Sequence, residues 1–136
     1  GEGAQKEHLL ELAANLGVAD QLHLLGYRTD IPELSCATEI FCFPSFREGL
    51  GLAAIEAMAC SLPIVTSNVH GINDYSEDAV TGYKCAPTDS DSFAEAISTL
   101  LKDEELRMKM GATNRKRARE YSIETIVATM KSIYES

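Results

Sequence analysis

A chain of 136 residues with 45% hydrophobic and 24% charged residues has the length and composition of one globular domain or part of one. Its formal net charge of −9 argues against a nucleic-acid-binding surface, and no apolar run approaches the roughly 20 residues of a membrane helix. The four cysteines lack C-x-x-C spacing and the three histidines lack ligand spacing, which points away from a metal site and towards free thiols, most of them buried in apolar stretches. With no signal-peptide pattern and reduced cysteines, the expected location is cytoplasmic.

In chain order the pattern alternates helix and strand. Leu9, Leu12, Ala13 and Leu16 recur at helical spacing over residues 5–16, and Gly17 stands where a C-terminal cap belongs. Residues 22–25, Leu-His-Leu-Leu, read as a short strand ending at Gly26. Asp30 can cap a brief helix whose Pro32 is tolerated in the first turn. A buried strand over 39–44 leads through a glycine-spaced loop into a small apolar helix near 51–60. A strand over 63–66, a polar loop over 67–78 and a short strand over 82–85 follow. Three helices close the chain. The first is capped by Asp89 or Asp91 and turns Phe93, Ile97, Leu100 and Leu101 to one side; the second runs from Asp103 to about Glu120. The third follows Ser122 with the stripe Ile123, Ile126, Val127, Met130 and Ile133. Short apolar strands between helices predict an α/β fold: a Rossmann-like parallel sheet with helices on both faces and ligands at the strand carboxyl ends.

The chemistry concentrates in Glu48-Gly49-Leu50-Gly51-Leu52-Ala53-Ala54-Ile55-Glu56. A helix N-terminus offers unpaired amides and a positive dipole end, which suit phosphate or another anion. Glu56 is out of place among Leu, Ala, Ile and Met, and a carboxylate buried there would need a polar partner. Gly49 to Ala54 also matches G-x-G-x-x-A, the dinucleotide fingerprint. That reading fails further on, because the next strand ends Thr66-Ser67-Asn68 with no acid to hold a ribose.

The whole set of motifs resembles something else. Pro44-Ser45, Glu48-Gly49-Leu50-Gly51, Glu56-Ala57-Met58-Ala59-Cys60 and Pro63-Ile64-Val65 look like retaining glycosyltransferases of the GT-B fold, family 4, whose E-x7-E motif has the spacing of Glu48 and Glu56. Gly26-Tyr27-Arg28-Thr29-Asp30-Ile31-Pro32-Glu33-Leu34 resembles that family's G-Y-x-x-D-x-P-x-L segment, and Thr81-Gly82-Tyr83 its T-G-Y strand. The resemblance covers almost the whole chain. It implies that Glu48 contacts the donor sugar as the catalytic carboxylate and that the amides of Gly49, Leu50, Gly51 and Leu52 meet sugar hydroxyls and the diphosphate. It further implies that Glu56 accepts from the ribose hydroxyls and that Arg28 borders the base. The donor would be a nucleoside diphosphate sugar, held without a metal or other cofactor. Gly71-Ile72-Asn73-Asp74 departs from the family's glycine-rich turn ending in Glu, and no role is carried onto it or onto the loop residue His70.

By the same resemblance the chain is the C-terminal donor-binding domain, residues 1–136, shortened at its start. Relatives have a separate N-terminal acceptor domain and a basic pair from upstream strands; Gly1-Glu2-Gly3 resembles the turn that closes the second of those strands. A sheet lacking two central strands would leave the segment at 22–25 without a neighbour and one side of the strand at 39–44 open, inviting self-association. The basic run Arg115-Lys116-Arg117-Ala118-Arg119 leaves peripheral membrane contact open, although a solvated helix face explains it as well. The alternatives to a glycosyltransferase are a non-catalytic α/β nucleotide-binding module and a structural fragment in which Glu56 is paired internally.

Overall fold

The computed structural model describes residues 3–135, so the Gly1-Glu2-Gly3 turn begins outside the described residues. The chain divides into two compact units, residues 1–31 and 32–136. In the first, helix α1 (Lys6–Asn15) ends as its composition predicts, with Gly17 at φ +70° and the Val18 amide donating to the Ala13 carbonyl at 2.9 Å. A 3-10 turn (Ala19–Gln21) follows. The strand expected at 22–25 is not formed. A strand exists through ladder bonds to a neighbour, and no described segment pairs with this one.

The second unit carries the sheet. After α2 (Ile31–Cys36), which spans the junction of the units, β1 (Phe41–Phe43), β2 (Ile64–Ser67) and β3 (Gly82–Cys85) pair in parallel in the order β1-β2-β3. Phe41 stands opposite Ile64, and Ile64 opposite Gly82. Strand β2 is buried on both faces because successive side chains serve different cores. Ile64 joins Ala54, Met58 and Ala118 on one side, with α3 (Leu52–Ala59). Val65 joins Phe93, Leu100 and Met110 on the other, with α4 (Ser90–Lys102) and α5 (Glu104–Ala118), whose last residue reaches the first core. Helices thus cover both faces, as the strand pattern predicts.

Caps locate the closing helices. Of the two candidates for α4, Asp89 is the cap; it accepts from the Ser92 amide at 3.1 Å and the Ser92 hydroxyl at 2.6 Å. Asp103 caps α5 through the Leu106 amide at 2.8 Å, and Ser122 caps α6 (Ile123–Tyr134). Helix α5 stops at Ala118 and continues as a 3-10 turn (Arg119–Tyr121), short of the regular helix expected to Glu120. The apolar stripe of α6 is present, with Ile123, Ile126, Val127 and Met130 exposed. The thiols are free, but only Cys85 is buried. Cys36 and Cys42 are exposed, Cys42 on the face of β1 opposite the half-buried Phe41 and Phe43, and apolar neighbours in sequence do not guarantee cover in space.

Bonds from Ser92, first from its hydroxyl and then from its amide, hold the Asp89 carboxyl below its ordinary range. A depressed folded-state value stabilises above the unfolded value and is lost as pH falls. Asp89→Ala is therefore expected to melt below the parent at pH 7, with the gap closing as pH drops below about 3.9. Parallel thermal melts across that range check it.

Candidate functional site

Between the carboxyl end of β1 and the start of α3 the chain makes a tight loop that Gly51 closes. Gly51 is buried at φ +76° and ψ +56°, a conformation side chains rarely adopt. A Cβ there would stand 2.7 Å from Tyr75 Oη, 3.0 Å from Glu48 Cγ and 3.1 Å from Phe43 Cε1, so dihedral and space both require glycine. The Gly51 carbonyl accepts the Ala54 amide at 2.9 Å and the Ile55 amide at 3.4 Å. Among the described residues, no amide from Gly49 to Ala53 donates to a protein acceptor. The positive end of α3 is thus open, with no side-chain cap, as an anion site requires.

A second loop braces the first. The 3-10 turn His70–Ile72 brings Gly71 against the glycine loop, where a Cβ would stand 1.9 Å from the Gly49 carbonyl oxygen. Gly71, to which the sequence assigned nothing, is therefore part of the site's foundation. So is Tyr75, which the sequence also passed over. It is 3% exposed, its hydroxyl has no partner among the described residues, and the Tyr121 ring packs edge-on with centroids 6.1 Å apart. Burial, and after it the nearby Glu48 charge, push the phenol up to about 12. Arg117 ties this loop to α5 by pairing with Glu77 and donating to the Tyr75 carbonyl at 3.5 Å. An aromatic within an otherwise polar Asn-Asp-Tyr-Ser segment was the available signal.

Glu48 is half-buried beside Gly51, while Gly49, Leu50 and Leu52 are exposed. Glu56 corrects the sequence expectation. Residues 54, 55, 57 and 58 take the core side of α3, leaving Leu52, Glu56 and Ala59 on an outward stripe at i, i+4 and i+7. Glu56 is exposed, and among the described residues no side chain bonds or pairs with it. It lines a cleft of about 540 Å³ with Leu52, Arg115, Arg119 and Ile123. Arg28 belongs to the first unit, where its Nε donates to the Asp30 carboxylate at 2.7 Å and Nη2 pairs with the same group. Asp30 is consequently engaged by Arg28. Among the described residues no three His, Cys, Asp or Glu side chains converge as metal ligands would, and no helix is long and apolar enough to cross a membrane.

A parallel α/β sheet with an open helix N-terminus at a strand carboxyl end defines a phosphate-compatible binding domain. The chain belongs to the family Glycosyl transferases group 1, which it matches over residues 1–117. It is 34% identical over 135 residues to N-acetyl-alpha-D-glucosaminyl L-malate synthase of Bacillus anthracis, covering 98% of this chain and 35% of that protein. Sucrose-phosphate synthase of Thermosynechococcus elongatus superposes with a TM-score of 0.89 at 28% identity, over 99% of this chain and 35% of that one. HepE of Anabaena, solved with UDP-glucose, superposes at 0.88 with 25% identity, over 98% of this chain and 38% of that one. The fold is thus that of GT-B glycosyltransferases, and the chain spans about a third of the length of the curated relatives it matches.

Proposed function

We propose that this chain is the donor-binding part of a retaining, family 4 glycosyltransferase. The whole enzyme would move a hexose-type sugar from a nucleoside diphosphate to a glycan, lipid or glycoside acceptor. The observation that carries this reading is the open amino end of α3, with unpaired amides from Gly49 to Ala53 and a carboxylate on either side. The binding of UDP-glucose by HepE supports a nucleotide-sugar ligand.

In this reading the amides of Gly49 to Leu52 and the helix dipole stabilise the charge that grows on the leaving diphosphate, without a metal. Glu48, half-buried and set against Gly51, holds the sugar while the acceptor oxygen bonds to the anomeric carbon on the face the diphosphate leaves. Glu56 accepts from the ribose hydroxyls. Its exposure favours this, since a carboxylate unpaired within the chain binds a hydroxyl without first breaking an ion pair. Arg28, near the base, would bind through donors not committed to Asp30. An acceptor domain and a basic pair for the diphosphate come from the rest of the enzyme.

The test is calorimetric titration of the full-length protein with UDP, GDP and ADP, alongside turnover of their sugar conjugates. Glu56→Ala is expected to weaken the nucleotide that binds by about tenfold. Binding without turnover would identify a non-catalytic nucleotide module, and affinity unchanged by Glu56→Ala would remove Glu56 from the ribose.

A further inference from the structure

We propose that Tyr75 is a positioning residue for Glu48, its hydroxyl being the donor that fixes the Glu48 carboxylate when the donor sugar is bound. The inference rests on the reading of Glu48 given above and adds a residue that the E-x7-E motif does not contain.

Three observations meet at this side chain. First, its hydroxyl is buried and has no partner among the described residues, a state that calls for an explanation. Second, it is aimed at the glycine loop: a Cβ on Gly51 would lie 2.7 Å from Tyr75 Oη and 3.0 Å from Glu48 Cγ, so the hydroxyl and the Glu48 side chain border the same small space beside Gly51. Third, the ring is buried and packed edge-on against Tyr121, and Arg117 pairs with Glu77 and donates to the Tyr75 carbonyl. The raised phenol value agrees, since after burial its next cause is the nearby Glu48 charge. Tyr75 Oη is closed to solvent, so it acts through Glu48 rather than on the sugar. A donor of this kind fixes one carboxylate rotamer, and a charge-assisted bond has the strength to hold it.

A double-mutant cycle in the full-length protein tests this, using Tyr75→Phe, Glu48→Gln and both together. UDP, GDP, ADP, UDP-glucose, GDP-mannose and ADP-glucose are the probes. Tyr75→Phe is expected to melt at or above the parent temperature, because it deletes an unsatisfied group. It is also expected to lower kcat/KM for the nucleotide sugar by about tenfold or more while leaving affinity for the bare diphosphate within about twofold. Glu48→Gln is expected to show the same split, and the double variant to be no worse than Glu48→Gln alone. A Tyr75→Phe enzyme as active as its parent beside a damaged Glu48→Gln enzyme overturns the inference and spares the reading of Glu48. So do losses that simply add. A Glu48→Gln enzyme with parental behaviour overturns the reading of Glu48, and the inference falls with it.

Discussion

Gly71→Ala is expected to lower the unfolding free energy by about 3 kcal/mol and to remove nucleotide binding with it. The added carbon would stand 1.9 Å from the Gly49 carbonyl oxygen, 2.4 Å from its carbon and 2.6 Å from the Glu48 carbonyl oxygen. All three are backbone atoms, so no rotamer change relieves the clash; one loop has to retreat. Retreat of the glycine loop drags the open amides and Glu48 from their places, and retreat of the Gly71 turn withdraws Tyr75 from beneath Gly51. Gly49→Ala is the informative contrast. It puts a methyl on the other side of the same contact, at a position with nothing within 4 Å. Its stability should stay within about 0.5 kcal/mol of the parent. Its affinity for a nucleoside diphosphate should still fall roughly tenfold if the ligand approaches the backbone there. Urea unfolding and titration on both variants separate the glycine that supports the site from the glycine that forms it. Equal loss of stability in the two would mean that the loops do not brace each other as this packing requires.

That contrast also shows what could be read in the sequence. The E-x7-E spacing, the strand before it and the helix after it are local, and Glu48 to Glu56 came out as a loop and a first helical turn with glycine where φ is +76°. The helical wheel was equally available. Leu52, Glu56 and Ala59 share a stripe away from Ala54 and Met58, so the exposure of Glu56 was legible and was overruled by the apolar character of its neighbours. Gly71 and Tyr75 were not legible in the same way. Their importance comes from where a loop more than twenty residues downstream happens to pack, and beyond an aromatic in a polar run nothing in Gly71-Ile72-Asn73-Asp74-Tyr75 announces that contact. The segment at 22–25 fails for a third reason: its alternation of types suits a strand, but a strand is a property of two segments, and this one has no described partner. Cysteine cover is not legible in sequence on similar grounds, because the face a side chain occupies decides its exposure as much as composition does.

The second large effect is expected at Asn114, a polar residue within α5 to which the sequence reading gave no role. Its side chain is fully buried, and Nδ2 donates to the Leu62 and Thr81 carbonyls, each at 2.7 Å. One amide group therefore pins α5 to the turn before β2 and to the residue before β3, fixing how the strands enter the sheet. Nearby, Gly111 lets α5 approach so closely that a Cβ would meet the Ser61 carbonyl oxygen at 2.1 Å. Asn114→Asp keeps the shape and deletes both donors. Ionised, the new side chain sets a buried negative charge against two carbonyl oxygens; protonated, it can satisfy one of them. The predicted loss at pH 7 is about 4 kcal/mol, a large share of the stability of an ordinary domain. Burial and facing carbonyls both disfavour the ionised form, so the folded-state pKa of the new carboxyl lies above the unfolded one. Stability is then greatest below the unfolded value of about 3.9 and is lost as pH rises through the folded one. The gap between variant and parent should accordingly widen from pH 4 to pH 7 in parallel urea titrations. A gap that stayed constant would show that the lost donors alone matter. One that narrowed would mean that water or a cation reaches the introduced carboxylate and that the clamp is not sealed.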